Sequence, residues 1–166
     1  RVRSKDMLAV AASFAQQNSG IFSTEVWGGA TFDVALRFLH ECPWERLQQL
    51  SKAMPNTLLQ MLFRGSNAVG YSAYPKNVIR KFVEEAAHKG IDIFRVFDSL
   101  NNLESMLPTI EYVNKYTTSI AQASVCYTGD VLKKDNNKYS LQYYVDLARR
   151  LEDAGAHMIA IKDMAG

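Results

Sequence analysis

Apolar runs that end in polar residues recur along the chain, and each is followed by turn residues and a stretch of helical periodicity. The clearest apolar runs occupy residues 57–63, 91–97, 120–127 and 158–161. The polar residues that end them are Arg64, Asp98, Thr128 and the pair Lys162 and Asp163. Successive ends, counted to Asp163, are 34, 30 and 35 positions apart, which matches the roughly 31 residues per unit of an eight-unit (β/α) barrel. The spacing therefore predicts repeated strand–helix units with parallel strands.

The segments between these runs carry helix signals of their own. Helices are predicted at residues 31–39, 44–54, 77–88 and 140–154, and a further strand at residues 21–27. Pro43 separates the first two helices, and Ser140 is a suitable N-cap for the last one. Gly90 and Gly155 suit the ends of the helices that precede them. These elements make about five strand–helix units.

This pattern places the chain in the α/β class and leaves two architectures open. Five parallel units form a complete flavodoxin-like, doubly wound sheet, and they also form about five of the eight units of a TIM (β/α)8 barrel. Length alone favours the doubly wound sheet, whereas the motifs along the chain favour the partial barrel. In both folds, chemistry belongs at the carboxyl ends of the strands.

Composition narrows the possible functions. The chain has 166 residues, of which 48% are apolar, so it can bury the core of about one domain. The 19 Lys and Arg against 17 Asp and Glu leave a dispersed net charge of +2, which argues against a nucleic-acid partner. Two cysteines are too few for a disulfide framework, and no apolar stretch approaches the roughly 20 residues of a membrane span. These features favour a reducing compartment and no membrane partner.

Polar residues at the predicted strand ends are expected to meet at one edge of the sheet. They lie at residues 25–29, 64–71, 98–101, 128–130 and 162–163. Arg64 presents a planar fork that can hold a carboxylate through two hydrogen bonds, and Gly65 would let backbone approach a ligand closely. A structural ion pair between Arg64 and Asp98 is an equally good interpretation of the sequence.

Lys162 is the most informative single residue, because it ends a strongly apolar segment in which a bare ammonium is costly. A neutral amine there could form a Schiff base, act as a base, or take up CO2 to become a carbamate that binds a divalent metal. The alternative is a lysine whose head reaches solvent while its stem packs. Asp33 and Tyr71 are weaker candidates, since an acid in a first helical turn and a tyrosine in a loop are common structural features.

Five motifs follow one another along nearly the whole chain. They read WGGATFD at residues 27–33, QMLFRG at 60–65, NAVGY at 67–71, FRVFDSLN at 94–101 and IKDMAG at 161–166. Together they closely resemble the biotin-dependent carboxyltransferase family, which is shared by pyruvate carboxylase, oxaloacetate decarboxylase and transcarboxylase. The NAVGY and DSLN segments, with CYTGDV at 126–131, are most similar to the pyruvate carboxylase branch.

The resemblance implies that residues 1–166 are an incomplete carboxyltransferase barrel, without its first strand and last units. Its activity would be carboxyl transfer from carboxybiotin to pyruvate, which gives oxaloacetate. The resemblance assigns catalytic roles to Arg64 and Lys162, and pyruvate binding to Arg64 with Asp98. It also implies that Asp33 and Tyr71 line the biotin pocket, and that Lys162, as a carbamate, ligates Zn²⁺ or Mn²⁺.

The resemblance implies partners as well. Biotin would arrive on a separate carrier domain, and ATP would be used only at a biotin carboxylase domain or subunit outside this chain. The intact protein is expected to be a homo-oligomer in the cytoplasm, or in the mitochondrial matrix of a eukaryote, without nucleic-acid or membrane partners. The family's upstream Asp metal ligand and later His-x-His pair are missing from this sequence, so this stretch alone is expected to bind metal poorly and to be inactive.

Two other functions remain open from the sequence. The alpha subunit of oxaloacetate decarboxylase runs the same half-reaction backward, and it resembles this chain through the same motifs. A non-catalytic, ligand-binding α/β domain is the alternative from another class.

Overall fold

A computed structural model of the protein describes residues 2–18, 20–131 and 138–164. Its strands are β1 (Ser23–Gly28), β2 (Leu58–Phe63), β3 (Ile93–Val96), β4 (Ile120–Tyr127) and β5 (Met158–Asp163). Its helices are α1 (Ser4–Gln17), α2 (Gly29–Val34), α3 (Pro43–Ala53), α4 (Lys76–His88), α5 (Leu103–Tyr116) and α6 (Leu141–Asp153). A π-helical turn, Ala35–Leu39, continues α2, and a 3-10 turn, Gly65–Asn67, follows β2. Within the described residues, no helix combines the length and the apolarity needed to cross a bilayer.

The strands form one parallel sheet whose spatial order follows the chain, β1-β2-β3-β4-β5. A flavodoxin-like sheet contains a point at which the strand order reverses. The order of these strands does not reverse, so the doubly wound alternative is wrong. Sequential parallel strands joined by helices are the arrangement of a barrel wall, and the α/β prediction is therefore confirmed as an open sheet that is consistent with part of a barrel.

The hydrophobic core lies between one face of the sheet and the helices that cover it. Successive strand residues point to opposite faces, and on β2, β3 and β4 most of the residues that face the helices are almost fully buried. They include Leu59, Met61, Phe63, Phe94, Val96, Ala121, Ala123 and Val125. Beside β1 the core is closed by an aromatic cluster with ring centroids 4.9 to 5.8 Å apart, made of Trp27, Phe32, Trp44 and Phe82.

The opposite face of the sheet, here called the open face, carries polar side chains. Gln60 pairs in register with Glu25, and its Nε2 donates a hydrogen bond of 3.0 Å to the Glu25 carboxylate. Arg95 on β3 forms an ion pair of 2.8 Å with the same carboxylate. Side chains alternate between the two faces along a strand, so Gln60 and Leu62 lie on the open face. Arg64, the next residue in that alternation, follows β2 on the same face.

Most predicted elements agree with the structure, and the differences have local causes. The bounds of β4 are those predicted, and Ser140 caps α6 by accepting a 3.3 Å hydrogen bond from the Tyr143 amide. The pattern does not predict α1, in which only Ala11 is buried and the apolar stripe is weak. It does not predict α5 either, because Pro108 within that helix reads as a helix breaker.

A buried arginine holds the start of α1 against α3. Arg46 is only 4% exposed and forms a 2.8 Å ion pair with Glu41. The Ser4 hydroxyl donates to Glu41 at 2.6 Å and accepts from Arg46 Nε at 2.7 Å. The hydrogen bond from the Ser4 side chain, with that from Arg46, lowers the pKa of Glu41 to about 2. This network therefore favours the ionised carboxylate in the folded chain.

Candidate active site

Arg64 follows β2, and its guanidinium lies between backbone and an aromatic ring. Nη1 donates a 3.2 Å hydrogen bond to the Gly70 carbonyl, and Cζ lies 5.4 Å from the centre of the Tyr71 ring. On the other side the guanidinium packs so closely on Gly29 that a Cβ there would lie 2.6 Å from Cζ. These contacts fix the plane of the guanidinium, and the hydrogen bond to Gly70 is the only one that it donates to the residues the structure describes, so further N–H donors face a ligand.

Arg64 has no carboxylate partner in the part of the chain that the structure describes. The ion pair with Asp98, one of the two interpretations of the sequence, is therefore not formed. Gly65 also differs from expectation: its φ is +45°, and the close approach at this glycine comes from Ser105 of α5. The glycine thus lets the loop after β2 pack on α5, which supports the backbone that carries Arg64.

Asp33 and Tyr71 contact each other directly, although they are 38 residues apart in the chain. The Tyr71 hydroxyl donates a 3.1 Å hydrogen bond to Asp33 Oδ2, and the tyrosine is 71% exposed. Arg37, one helical turn after Asp33, lies 3.4 Å from the same carboxylate. Because the Tyr71 ring also covers Arg64, the three side chains predicted to bind biotin and pyruvate form one continuous surface.

Asp98 follows β3 and organises the turn that leads to α5. Its Oδ1 accepts backbone hydrogen bonds from Leu100 at 2.9 Å and from Asn102 at 3.1 Å. This is a side-chain-to-backbone turn of the kind that aspartate favours. The structure thus gives one oxygen of Asp98 a local structural role, and its predicted contact with substrate stays a prediction.

Lys162 lies near the carboxyl end of β5 and faces the same side of the sheet as Cys126, its register partner on β4. Its Nζ is 5.9 Å from the centre of the Phe97 ring, next to Asp98 in the chain. Burial raises the pKa of the Cys126 thiol, while Lys162 acts in the opposite direction and Asp98 adds to the rise. Lys162, Cys126 and Asp98 are therefore electrostatic neighbours at this edge of the sheet.

The described residues supply few ligands for a metal. No group of three or more His, Cys, Asp or Glu side chains among them could hold an ion. Lys162, the metal ligand that the resemblance implies, is half-buried on the open face beside an aromatic ring, and its role as a ligand stays a prediction. Ala165 and Gly166, the end of the last motif, lie outside the described residues.

Two residues of the site have roles that the sequence does not indicate. Gly29 lies against the guanidinium of Arg64, and Asn101 bonds through its side chain to the backbone of Cys126. Both stand inside motifs of the resemblance, yet their functions depend on contacts between segments distant in sequence. The nearest sequence signal is the glycine pair Gly28 and Gly29 itself, which predicts a tight turn and not a contact.

Curated relatives match the chain along its whole length. Pyruvate carboxylase of Bacillus subtilis is 55% identical over 166 residues, and the mitochondrial pyruvate carboxylase of Homo sapiens is 54% identical over 166 residues. Each match covers 100% of this chain and 14% of the relative, so the chain spans only about a seventh of those proteins. No family model matches the chain.

Solved structures give the same result. The carboxyl transferase domain of Rhizobium etli pyruvate carboxylase with pyruvate has a TM-score of 0.96 at 50% identity, and the same domain with pyruvate and biocytin has a TM-score of 0.94 at 50% identity. Both matches cover 100% of this chain and 28% of the solved chain. The resemblance to the carboxyltransferase domain of pyruvate carboxylase is thereby confirmed over the whole chain, and with it the α/β fold of a partial barrel.

Proposed function

We propose that this chain carries the pyruvate-binding and biotin-binding surface of a carboxyltransferase site, which transfers a carboxyl group from carboxybiotin to pyruvate and gives oxaloacetate. The observation that carries the proposal is the contact surface of Asp33, Tyr71 and Arg64, which joins the two predicted binding sites. The related Rhizobium etli domain has been solved with pyruvate and biocytin together, and a site for both molecules needs adjacent subsites of this kind. On this proposal residues 1–166 are part of a barrel whose first strand and last units lie elsewhere in the protein.

Arg64 is the proposed ligand of the pyruvate carboxylate. Its guanidinium is held by Gly70, Tyr71 and Gly29, and it has no carboxylate partner in the described part of the chain. By contrast, Arg95 on the same face is neutralised by Glu25 at 2.8 Å. An arginine with a fixed plane and an unmet charge is the better anchor for a small anion.

Asp33 and Tyr71 are the proposed biotin ligands. The ureido ring of biotin has N–H donors and a flat surface, so a carboxylate oxygen and an exposed phenol ring are suitable partners. Tyr71 donates to Asp33 at 3.1 Å, which orients the carboxylate. Because the Tyr71 ring also lies over Arg64, a biotin ring on this surface would be next to pyruvate.

Lys162, as a carbamate, is the proposed metal ligand of this chain, and the remaining ligands would come from other parts of the barrel. Zn²⁺ or Mn²⁺ bound there would supply Lewis-acid polarisation of the pyruvate keto oxygen. Asp98 is proposed to act at the same edge, where its second carboxylate oxygen is available to substrate. The carbamate would place a negative charge between Cys126 and Phe97, the neighbours of Lys162 on the open face.

The proposed step breaks the bond between the biotin ring nitrogen and its carboxyl carbon, and the nitrogen takes up a proton. The pyruvate methyl carbon loses a proton and forms the new carbon–carbon bond to that carboxyl carbon. Arg64 contributes by holding the pyruvate carboxylate, while Asp33 and Tyr71 orient the biotin ring. Fixing both reactants on one rigid surface is the main contribution of these residues to the rate.

The partners follow from the same proposal. Biotin is carried on a separate domain, and ATP is used at a biotin carboxylase domain or subunit outside this chain. We propose a homo-oligomer for the intact protein, in the cytoplasm or in the mitochondrial matrix of a eukaryote.

The direct test uses the full-length protein and measures ATP- and bicarbonate-dependent formation of oxaloacetate from pyruvate. Replacing Arg64 by Ala should cost at least about 2 kcal/mol in pyruvate binding, the value of hydrogen bonds to a charged group, and so raise the pyruvate KM roughly 30-fold or abolish transfer. Arg80→Ala is the matched control, because that arginine lies on α4 in an ion pair with Glu84. Unchanged pyruvate kinetics in Arg64→Ala would refute the assignment.

The same assay separates the alternatives. Net decarboxylation of oxaloacetate without ATP would identify the reverse half-reaction of a decarboxylase. Absence of both reactions in a folded, biotinylated full-length protein would favour a ligand-binding domain without catalysis.

A further inference from the structure

Asn101 binds the end of β4 through its side chain. Its Nδ2 donates a 2.7 Å hydrogen bond to the Cys126 carbonyl, and its Oδ1 accepts a 2.8 Å hydrogen bond from the Cys126 amide. A side-chain amide paired in this way satisfies the same backbone groups that a neighbouring strand would satisfy. Asn101 thus extends the pairing of β4 beyond the last register pair with β3, which joins Val96 to Ala123.

The backbone at Asn101 is built for this contact. Its φ is +55°, in the left-handed region that asparagine tolerates better than most residues. The Asn101 amide donates to the Asp98 carbonyl at 3.0 Å, and the Asp98 side chain holds the amides of Leu100 and Asn102. The turn that begins at Asp98 therefore directs the Asn101 side chain toward β4.

The residue that Asn101 holds is the register partner of Lys162. Cys126 on β4 pairs with Lys162 on β5, and the pairing continues through Tyr127 and Asp163. Within the described sheet, this stretch of β5 is aligned by its pairing with β4. A displacement of Cys126 would be transmitted directly to Lys162.

We propose that Asn101 is a positioning residue for Lys162, which acts by fixing the end of β4 against which the lysine-bearing end of β5 is aligned. The inference rests on the proposed function for its catalytic consequence, but the structural link between Asn101, Cys126 and Lys162 is independent of it. Asn101 is proposed to act through the backbone of Cys126, to which both polar atoms of its side chain are hydrogen-bonded.

The decisive variant is Asn101→Gly in the full-length protein. Glycine accepts a φ of +55° without strain, so the substitution removes the two hydrogen bonds and leaves the turn feasible. The matched control is Asn114→Ala, which removes the 2.8 Å hydrogen bond from Asn114 Nδ2 to the Gly155 carbonyl. That bond also joins an asparagine side-chain amide to a backbone carbonyl, but it lies in the loop before β5, at the end of the strand opposite to Lys162.

We expect Asn101→Gly to lower kcat for carboxyl transfer about tenfold or more, since small displacements at a reacting centre have effects of this size. The pyruvate KM should stay within about twofold, because Arg64 follows β2 and is held by other contacts. The ¹³C resonance of a carbamate on Lys162, recorded under ¹³CO2, should weaken, and amide exchange should accelerate in the peptides that cover β4 and β5. Asn114→Ala should leave the kcat and the carbamate signal at their wild-type values.

The inference would be overturned if Asn101→Gly kept the kcat and the carbamate signal of the wild type. It would also be overturned if Asn114→Ala lost as much of both as Asn101→Gly does. If the wild-type protein shows no carboxyl transfer, the proposed function fails, and the structural link is then decided by crystal structures of the full-length wild type and Asn101→Gly. A Lys162 Nζ that keeps its position in Asn101→Gly would reject the link, and a displaced Nζ would support it.

Discussion

Replacing Gly29 by Ala should move Arg64 without unfolding the chain. A Cβ at this position would lie 2.6 Å from the Arg64 Cζ and 2.9 Å from both terminal nitrogens. Gly29 begins α2, and it is not among the glycines with positive φ, so its backbone accepts alanine. The three nearest atoms all belong to the end of the Arg64 side chain, which is flexible and can move aside.

The size of the displacement follows from the contact. Ordinary contacts of a Cβ begin at 3.4 Å, so Cζ must shift by about 0.8 Å or more, an amount that disturbs a hydrogen bond or a stacked ring. The bond to the Gly70 carbonyl, now 3.2 Å, and the packing under Tyr71 are then lost or remade. If Arg64 binds pyruvate, we expect a loss of about 1.5–3 kcal/mol, which raises the pyruvate KM roughly 10- to 150-fold.

The assay is steady-state carboxyl transfer by the full-length protein, with melting temperature as the test of folding. Gly20→Ala is the matched control, because no atom lies within 4 Å of a Cβ at that position. The same Gly29→Ala change in an Arg64→Lys background should have little further effect, since lysine has no planar group to displace. Additive losses in the double variant, or an unchanged pyruvate KM in Gly29→Ala, would refute the reasoning.

Three further predictions concern other parts of the chain. Tyr71→Phe removes the hydroxyl that bonds to Asp33 and should weaken binding of free biocytin by about 0.5–1.5 kcal/mol, with the pyruvate KM unchanged. Glu41→Gln removes a carboxylate whose pKa is lowered to about 2, chiefly by the Ser4 hydroxyl. The ionised carboxylate stabilises the fold above the ordinary carboxylate pKa, and this stabilisation is lost as the pH falls toward 2. The difference in melting temperature between Glu41→Gln and wild type should therefore shrink from pH 7 to pH 3. Lys162→Met should abolish carboxyl transfer and reduce the tightly bound Zn²⁺ or Mn²⁺ of the full-length protein, as measured by elemental analysis.

Four of the strands, β2 to β5, could be predicted because they contain largely apolar runs that end in polar residues, and burial in a parallel sheet requires such runs. The bounds of β4, Ile120–Tyr127, are those of the predicted run. α1 could not be predicted in the same way, because it packs mainly on α3 and buries Ala11 alone. A helix that buries so little surface has an apolar stripe too weak to be recognised in the sequence.

The site was predictable in its location and less so in its contacts. Parallel strands in sequential order bring their carboxyl ends to one edge, so Arg64, Asp98 and Lys162 had to share that edge once the order was known. Which side chains touch there depends on rotamers and on loop conformation. Asp98 illustrates the limit, since its Oδ1 serves the local turn, and a strand-end aspartate has the same sequence signature whether it binds backbone or substrate.

The charge distribution on the open face resolves an ambiguity that the sequence leaves. Sequence alone allows Arg64 either to bind a substrate carboxylate or to pair with Asp98, whereas the structure shows Arg95 paired with Glu25 at 2.8 Å and Arg64 without such a partner in the described residues. A half-buried guanidinium without a counter-ion raises the free energy of the empty site, and part of that cost is recovered when an anion binds. The Glu25 carboxylate accepts from Gln60 and Arg95 and forms no ion pair with Arg64 among the described residues. The pairing of Arg95 with Glu25 therefore leaves the charge of Arg64 to be compensated by an anion that binds at the site.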